Sequence, residues 1–169
     1  NDSSNEDLAM TQSRIAIKGL QHAVYRCRDS EEPRAVYEDF LGLPLADAFE
    51  ISTTQTGRET SVLHSFFQKA DGSSLAFFEA PDQPFEFREQ HDFDLHIALE
   101  VDMATLHRMF EAGPGAGIDT RGISDHGGIH SIYFRDPNGY VVELPARVDG
   151  GSQPADPHAT LADWQSRKT

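Results

Sequence analysis

An α+β fold of two tandem βαβββ modules around one metal site is predicted for this 169-residue chain by three observations. Two alternating, β-prone runs carry a histidine near the middle: residues 19–26 (GLQHAVYR) with His22, and residues 93–101 (FDLHIALEV) with His96. Two apolar runs close on a glutamate: Ser74–Glu79 (SLAFFE), and residues 140–144 (YVVEL) with Glu143. Each histidine run is followed by a stretch of helical pattern, so the order His, Glu, His, Glu assigns one pair to each half. A glutamate in such apolar company is costly to bury unless it is paired, protonated or bound to a cation.

The elements follow in order. Residues 30–41 (SEEPRAVYEDFL) offer Ser30 as a helix N-cap, acids in the first turn, a proline near the start and Val36, Phe40 and Leu41 on one face, which predicts a short amphipathic helix. Residues 42–45 turn the chain into strands at 45–52, 61–69 and 74–79, with AspGly at Asp71 and Gly72 marking the hairpin between the last two. The second half repeats the plan: a strand at 93–101, a helix at 103–112 (MATLHRMFEA), a glycine-rich exit GPGAG, then strands at 118–124, 129–135 and 140–144. AspProAsnGly at 136–139 is a tight-turn signal between the final two strands. The predicted organisation is therefore an N-terminal arm (1–18), a first module (19–80), a linker rich in proline and acids (81–92), a second module (93–147) and a tail (148–169). In that tail Leu161 and Trp164 fall at helical spacing, predicting a short helix at 156–165 whose tryptophan docks.

Length allows one ordinary domain, or two small modules sharing a core. A formal charge of −14, from 28 acidic against 14 basic side chains, makes nucleic acid and anionic membrane surfaces poor partners. The single cysteine, Cys27, has no internal disulfide partner, and no run approaches the roughly 20 apolar residues needed to span a bilayer. Residues 1–13 lack the basic start and apolar core of a signal peptide, so a loosely docked arm and a cytoplasmic location are expected.

The paired modules, with GLQHAVYRC opening one, DLHIALEVD opening the other and SIYFRDPNGYVVEL closing the second, resemble the vicinal oxygen chelate superfamily. That superfamily includes glyoxalase I, bleomycin and fosfomycin resistance proteins, methylmalonyl-CoA epimerase and the type I extradiol dioxygenases. The resemblance covers roughly residues 19–147. It implies two half-open barrels forming a cup, with a divalent metal held by His22, His96 and Glu143 on the inner strands. Glu79 matches the position at which glyoxalase I and the epimerase supply a fourth, carboxylate ligand; the extradiol enzymes need only two histidines and one glutamate. Homodimers are common among superfamily members with one pair of modules, and one is expected here.

Two neutral imidazoles and one carboxylate with open positions opposite suit Fe(II) and dioxygen, and a second carboxylate would suit Zn, Ni, Co or Mn as a Lewis acid. Alone, His22 or His96 would read as a hydrogen-bonded core histidine; with Glu143 at matching places in two repeats, the metal is favoured for those three, while Glu79 reads equally as a ligand or as a strand-end acid facing solvent. On the strand at 129–135, Ser131 and Tyr133 share a face while His130, Ile132 and Phe134 share the other. Tyr133 lies ten positions before Glu143, where the extradiol enzymes carry an active-site tyrosine; fosfomycin resistance proteins have one there too, with a different job. A half-buried strand tyrosine is the alternative. His126, in the turn SerAspHisGlyGly, and His64, beside PhePhe, are candidate acid or base groups, with surface or structural roles as the alternatives. No GxSxG elbow, phosphate-binding glycine loop or CxxC pair is present.

Three readings follow. The favoured one is an Fe(II) extradiol-type dioxygenase acting on a catechol-like vicinal diol, with Tyr133 and His126 at the substrate and Phe66, Phe67, Phe77 and Phe78 offering an aromatic lining. The second is a glyoxalase- or epimerase-type lyase or isomerase, in which Glu79 helps hold the metal and a carboxylate moves a proton at carbon. The third is a metal-free, drug-sequestering resistance protein. A small molecule is the expected partner in each.

Overall fold

The computed structural model describes residues 15–150 and 156–168. The first half folds as β1 (His22–Cys27), helix α1 (31–40), β2 (Leu45–Thr53), β3 (Glu59–Gln68) and β4 (Ser74–Glu79). The second folds as β5 (His96–Ala98), α2 (Met103–Gly115), β6 (Thr120–Asp125), β7 (Ile129–Arg135) and β8 (Val141–Arg147), and α3 (Pro157–Arg167) follows. Each half is one four-stranded sheet with the same order, β1-β4-β3-β2 and β5-β8-β7-β6. The first strand runs parallel beside the last and every other pair is antiparallel. Neither sheet closes on itself, and the α+β architecture of two βαβββ units is the one the sequence predicts.

Local departures have local causes. β5 is shorter than the run 93–101 because Asp94 and Leu95 donate back to the His91 carbonyl in a turn; beyond Ala98 the chain continues beside β8 through Leu99 N–H to Glu143 O (2.9 Å) and Val101 N–H to Pro145 O (3.0 Å). Helix α1 widens in its second half, where the Leu41 N–H reaches back five residues to the Val36 carbonyl at 2.9 Å. The GPGAG segment is not wholly an exit loop. Helix α2 runs through Gly113, Pro114 and Gly115, starting from the Asp102 side chain, which accepts from the Thr105 N–H at 2.7 Å.

One core joins the halves. Tyr37, Phe67, Leu75 and Phe77 of the first are buried with Leu106, Ile132, Val142 and Leu144 of the second. Phe40 meets Phe134 edge-on at 5.3 Å and Tyr25 meets Tyr140 at 5.4 Å. The turn at 136–139 is the polar part of the joint. Asp136 Oδ1 accepts from the backbone of Asn138 and Tyr140, both at 2.9 Å, while its Oδ2 accepts the buried Tyr37 hydroxyl at 3.0 Å. Asn138 Oδ1 accepts from Arg28 N–H at 3.1 Å, and the Tyr140 hydroxyl donates to Arg26 O at 2.8 Å. Gly139, at φ +95°, is required here twice over, because a Cβ would also run into the Arg88 carbonyl.

The arm expected over 1–18 lies outside the described residues up to residue 14; residues 15–18 are exposed and without regular structure. The C-terminal helix forms as expected, but its tryptophan does not dock within the described residues. Trp164 is 54% exposed, no residue of α3 is buried, and the indole lies instead beneath the Arg167 guanidinium, 5.4 Å from the ring centre. The reason is composition: only Leu161 and Trp164 are large apolar groups on this helix, too small a stripe to compel packing. No described helix is long and apolar enough to cross a membrane.

Candidate metal centre

Strand register decides which side chains share a face. In the second module His96 pairs with Val141 and Ala98 with Glu143, so His96 and Glu143 project from the same side of neighbouring parallel strands. Tyr133 pairs directly with Glu143, and Ser131 with Pro145, which brings both onto that face. His96 Nε2 stands 3.1 Å from Glu143 Oε2. The second carboxylate oxygen accepts the Ser131 hydroxyl at 2.7 Å, and Ser131 is fully buried.

The histidine is oriented from behind. His96 Nδ1 lies 2.7 Å from the Asp92 carbonyl oxygen, which can only accept, so Nδ1 carries a proton and Nε2 is the nitrogen turned toward Glu143. Nε2 and Oε2 face one another, and either a proton on Nε2 or a cation lies between them. A borderline divalent metal fits this nitrogen and oxygen pair, with carbonyl and hydroxyl partners already holding both ligands.

Asp92 has a second task. Its carboxylate takes the Arg121 guanidinium at 2.8 and 2.9 Å, an ion pair that holds the Asp92 carboxyl below its ordinary range against the opposing effect of burial. Arg121 in turn lies 5.1 Å from the centre of the Tyr133 ring. The Tyr133 hydroxyl meets His126 Nε2 at 3.1 Å, with Ser124 Oγ at 3.3 Å from the same nitrogen. Tyr133 and His126 are thus brought together beside the His96 and Glu143 pair. Sequence reasoning missed Asp92 and Ser131 as supports; the only available signal was that Ser131 shares strand parity with Tyr133.

The first module presents His22 on a face with Val24, Ala76 and Phe78, set by the pairings of His22 with Ser74, Val24 with Ala76 and Arg26 with Phe78. His64 joins this face, stacked on Phe78 at 3.9 Å and edge-on to His22 at 6.4 Å, with Nδ1 donating to Phe77 O at 3.2 Å. Burial lowers its pKa below the ordinary histidine value. Phe66 and Phe49 complete an aromatic floor around His22, whose Nδ1 lies against the Gln21 side-chain oxygen. Phe67 and Phe77, expected in the lining, are instead on the buried side of the sheet.

Glu79 is not brought to this face. It pairs with Cys27, one residue out of step with the His22 row, and so points to the helix side of the sheet. There its carboxylate accepts the Ser30 N–H at 2.5 Å, at the start of α1. Ala76 occupies the place in the first module that Glu143 occupies in the second. Among the described residues, no three His, Cys, Asp or Glu side chains come together as a metal-holding group, so His22 does not meet His96 and Glu143 within one chain.

The sequence pattern of the Glyoxalase/Bleomycin resistance protein/Dioxygenase superfamily matches residues 19–144. Comparison with curated proteins gives no match. Solved structures share the fold. A glyoxalase/dioxygenase from Nostoc punctiforme is 21% identical, with 81% of this chain and 98% of that one covered at a TM-score of 0.60. A mutant form of the fosfomycin resistance protein FosX from Listeria monocytogenes, complexed with Mn(II) and 1S,2S-dihydroxypropylphosphonic acid, is 22% identical over 79% and 96% of the two chains, TM-score 0.56. TnmS3, an antibiotic binding protein from Streptomyces sp. CB03234, is 18% identical over 80% and 100%, TM-score 0.58.

Proposed function

The chain belongs to the Glyoxalase/Bleomycin resistance protein/Dioxygenase superfamily, and from that premise we propose a divalent-metal enzyme, specifically an Fe(II) extradiol-type dioxygenase acting on a catechol-like diol. One observation carries the metal: His96 Nε2 and Glu143 Oε2 face each other at 3.1 Å, each side chain held from behind. In this reading His22 supplies the third ligand from a second copy of the chain. The exposed apolar groups on its face, Val24 and Phe49, give that copy a surface to cover.

His22, His96 and Glu143 would hold Fe(II), which when bound would supply Lewis acidity toward a diol and electrons for dioxygen. The chain's own groups do the rest. Asp92 O and Ser131 Oγ fix the orientation of His96 and Glu143. His126 Nε2 accepts a proton released by a substrate hydroxyl, and the Tyr133 hydroxyl, 3.1 Å away, holds the pair in register. Phe49, Phe66 and Phe78 offer an apolar floor that excludes water and suits an aromatic ring.

A second reading, Lewis-acid chemistry without dioxygen, draws on the FosX relative that holds Mn(II) and a phosphonate diol. Against a phosphonate substrate, the arginines on these faces are already engaged: Arg121 by Asp92, Arg26 by the Ala80 and Gln83 carbonyls, and Arg135 by the Gln90 and Gly139 carbonyls. Against an isomerase routed through Glu79, that carboxylate serves α1.

The test is metal analysis of anaerobically purified protein, then oxygen uptake with a panel of catechols after Fe(II) loading. Catechol-dependent uptake that disappears in Glu143→Ala supports the proposal. Stoichiometric manganese, zinc or nickel without oxygen uptake moves the assignment to Lewis-acid chemistry, and no metal under any loading leaves a binding protein.

A further inference from the structure

A cavity of about 450 Å³ opens between the modules on the side away from the candidate metal centre. Its wall is apolar and drawn from both halves: Phe40 and Leu43 from the first, Leu99, Val101, Met109 and Leu144 from the second. Leu144 follows Glu143 on β8 and so projects from the opposite face of the sheet. The cavity therefore shares a strand with the metal pair but no space.

Two cations line the same cavity, Lys69 and Arg108. Among the described residues neither is ion-paired, although the chain carries 28 acids; the one acid in the lining, Glu100, is held by Arg147 at 2.8 Å. A strongly acidic protein that leaves two cations unpaired beside an apolar hollow has the charge pattern of a site for an amphiphile with an anionic head. Small-molecule pockets favour such places between modules, mostly apolar with a few polar groups that fix orientation.

We propose that this cavity binds a small amphiphilic monoanion, its apolar body against Met109, Leu99 and Leu144 and its carboxylate or similar head at Lys69 and Arg108. The site is independent of the metal reading. It requires neither the metal nor a second chain.

Decanoate is the probe, with decan-1-ol as the uncharged comparison, titrated calorimetrically into the full chain with chelator present. Saturable binding of one decanoate per chain is expected, weakened at least tenfold in the Lys69→Glu, Arg108→Glu double variant, whose decan-1-ol binding stays within threefold. Met109→Trp, which fills the hollow, is expected to abolish binding of both. His96→Ala is expected to bind decanoate unchanged. Absence of saturable decanoate binding, or binding indifferent to charge reversal, overturns the proposal. So does loss of decanoate binding in His96→Ala, which would assign the ligand to the metal face. Circular dichroism checks that Met109→Trp is folded; should it not be, the charge reversals at partly exposed Lys69 and exposed Arg108 decide the question.

Discussion

His96 Nε2 lies 3.1 Å from Glu143 Oε2, with Nδ1 of the same ring committed to the Asp92 carbonyl at 2.7 Å. That contact turns Nε2 toward the carboxylate, so a proton or a metal ion fits between the two, and the proposed metal site rests on this geometry.

Ser131 is expected to tune the site without ligating. Removing its hydroxyl in Ser131→Ala leaves Glu143 Oε1 without its donor, and metal affinity should fall about 10- to 100-fold, as loss of outer-shell partners does elsewhere. Competition titration against a chromogenic chelator measures this. Glu143→Ala should bind no metal at this site.

Sharing of the site between two chains has a signature in mixed dimers. His22→Ala and His96→Ala should each be inactive alone. Co-expressed, they form heterodimers in which one site keeps both histidines, so activity should return to roughly a quarter of wild type if chains pair at random. Mixtures as inactive as their parents would overturn a site shared between chains.

Glu79 should matter for folding rather than for metal. Glu79→Ala removes the carboxylate at the start of α1 and should cost about 1 kcal/mol, read as a lower urea midpoint with unchanged slope. Metal content should be unaltered; its loss would return Glu79 to the ligand set.

The joint between modules carries a pH dependence. Burial raises the Asp136 pKa above its ordinary 3.8, despite the hydrogen bonds that favour its charged form. The folded state thus holds this proton more tightly than the unfolded chain. Asp136 contributes most to stability below its unfolded pKa, and that contribution falls as pH rises through the folded value. In Asp136→Asn this component should vanish from urea midpoints measured between about pH 4 and pH 7. Tyr37→Phe, which deletes the buried hydroxyl, should lower stability by about 1–2 kcal/mol at neutral pH.

The repeat of helix-forming and strand-forming segments was legible in the sequence because it is local. Alternation around His22 and His96, AspGly at the hairpin between β3 and β4 and AspProAsnGly at the one between β7 and β8 each act over a few residues, and Ser74–Glu79 and Ile129–Arg135 form with the bounds the pattern predicts. The same parity argument placed Ser131 and Tyr133 on one face, as found beside Glu143. What sequence could not supply was register between strands distant in the chain. Glu79 ends β4 and Glu143 stands third on β8, yet pairing with β1 puts Glu79 beside Cys27 on the helix side, while pairing with β5 puts Glu143 on the His96 side. A single-residue step reverses the face of a strand side chain, so residue type and spacing determined the modules and nominated the ligands. Tertiary pairing alone decided which carboxylate faces a histidine and which caps a helix.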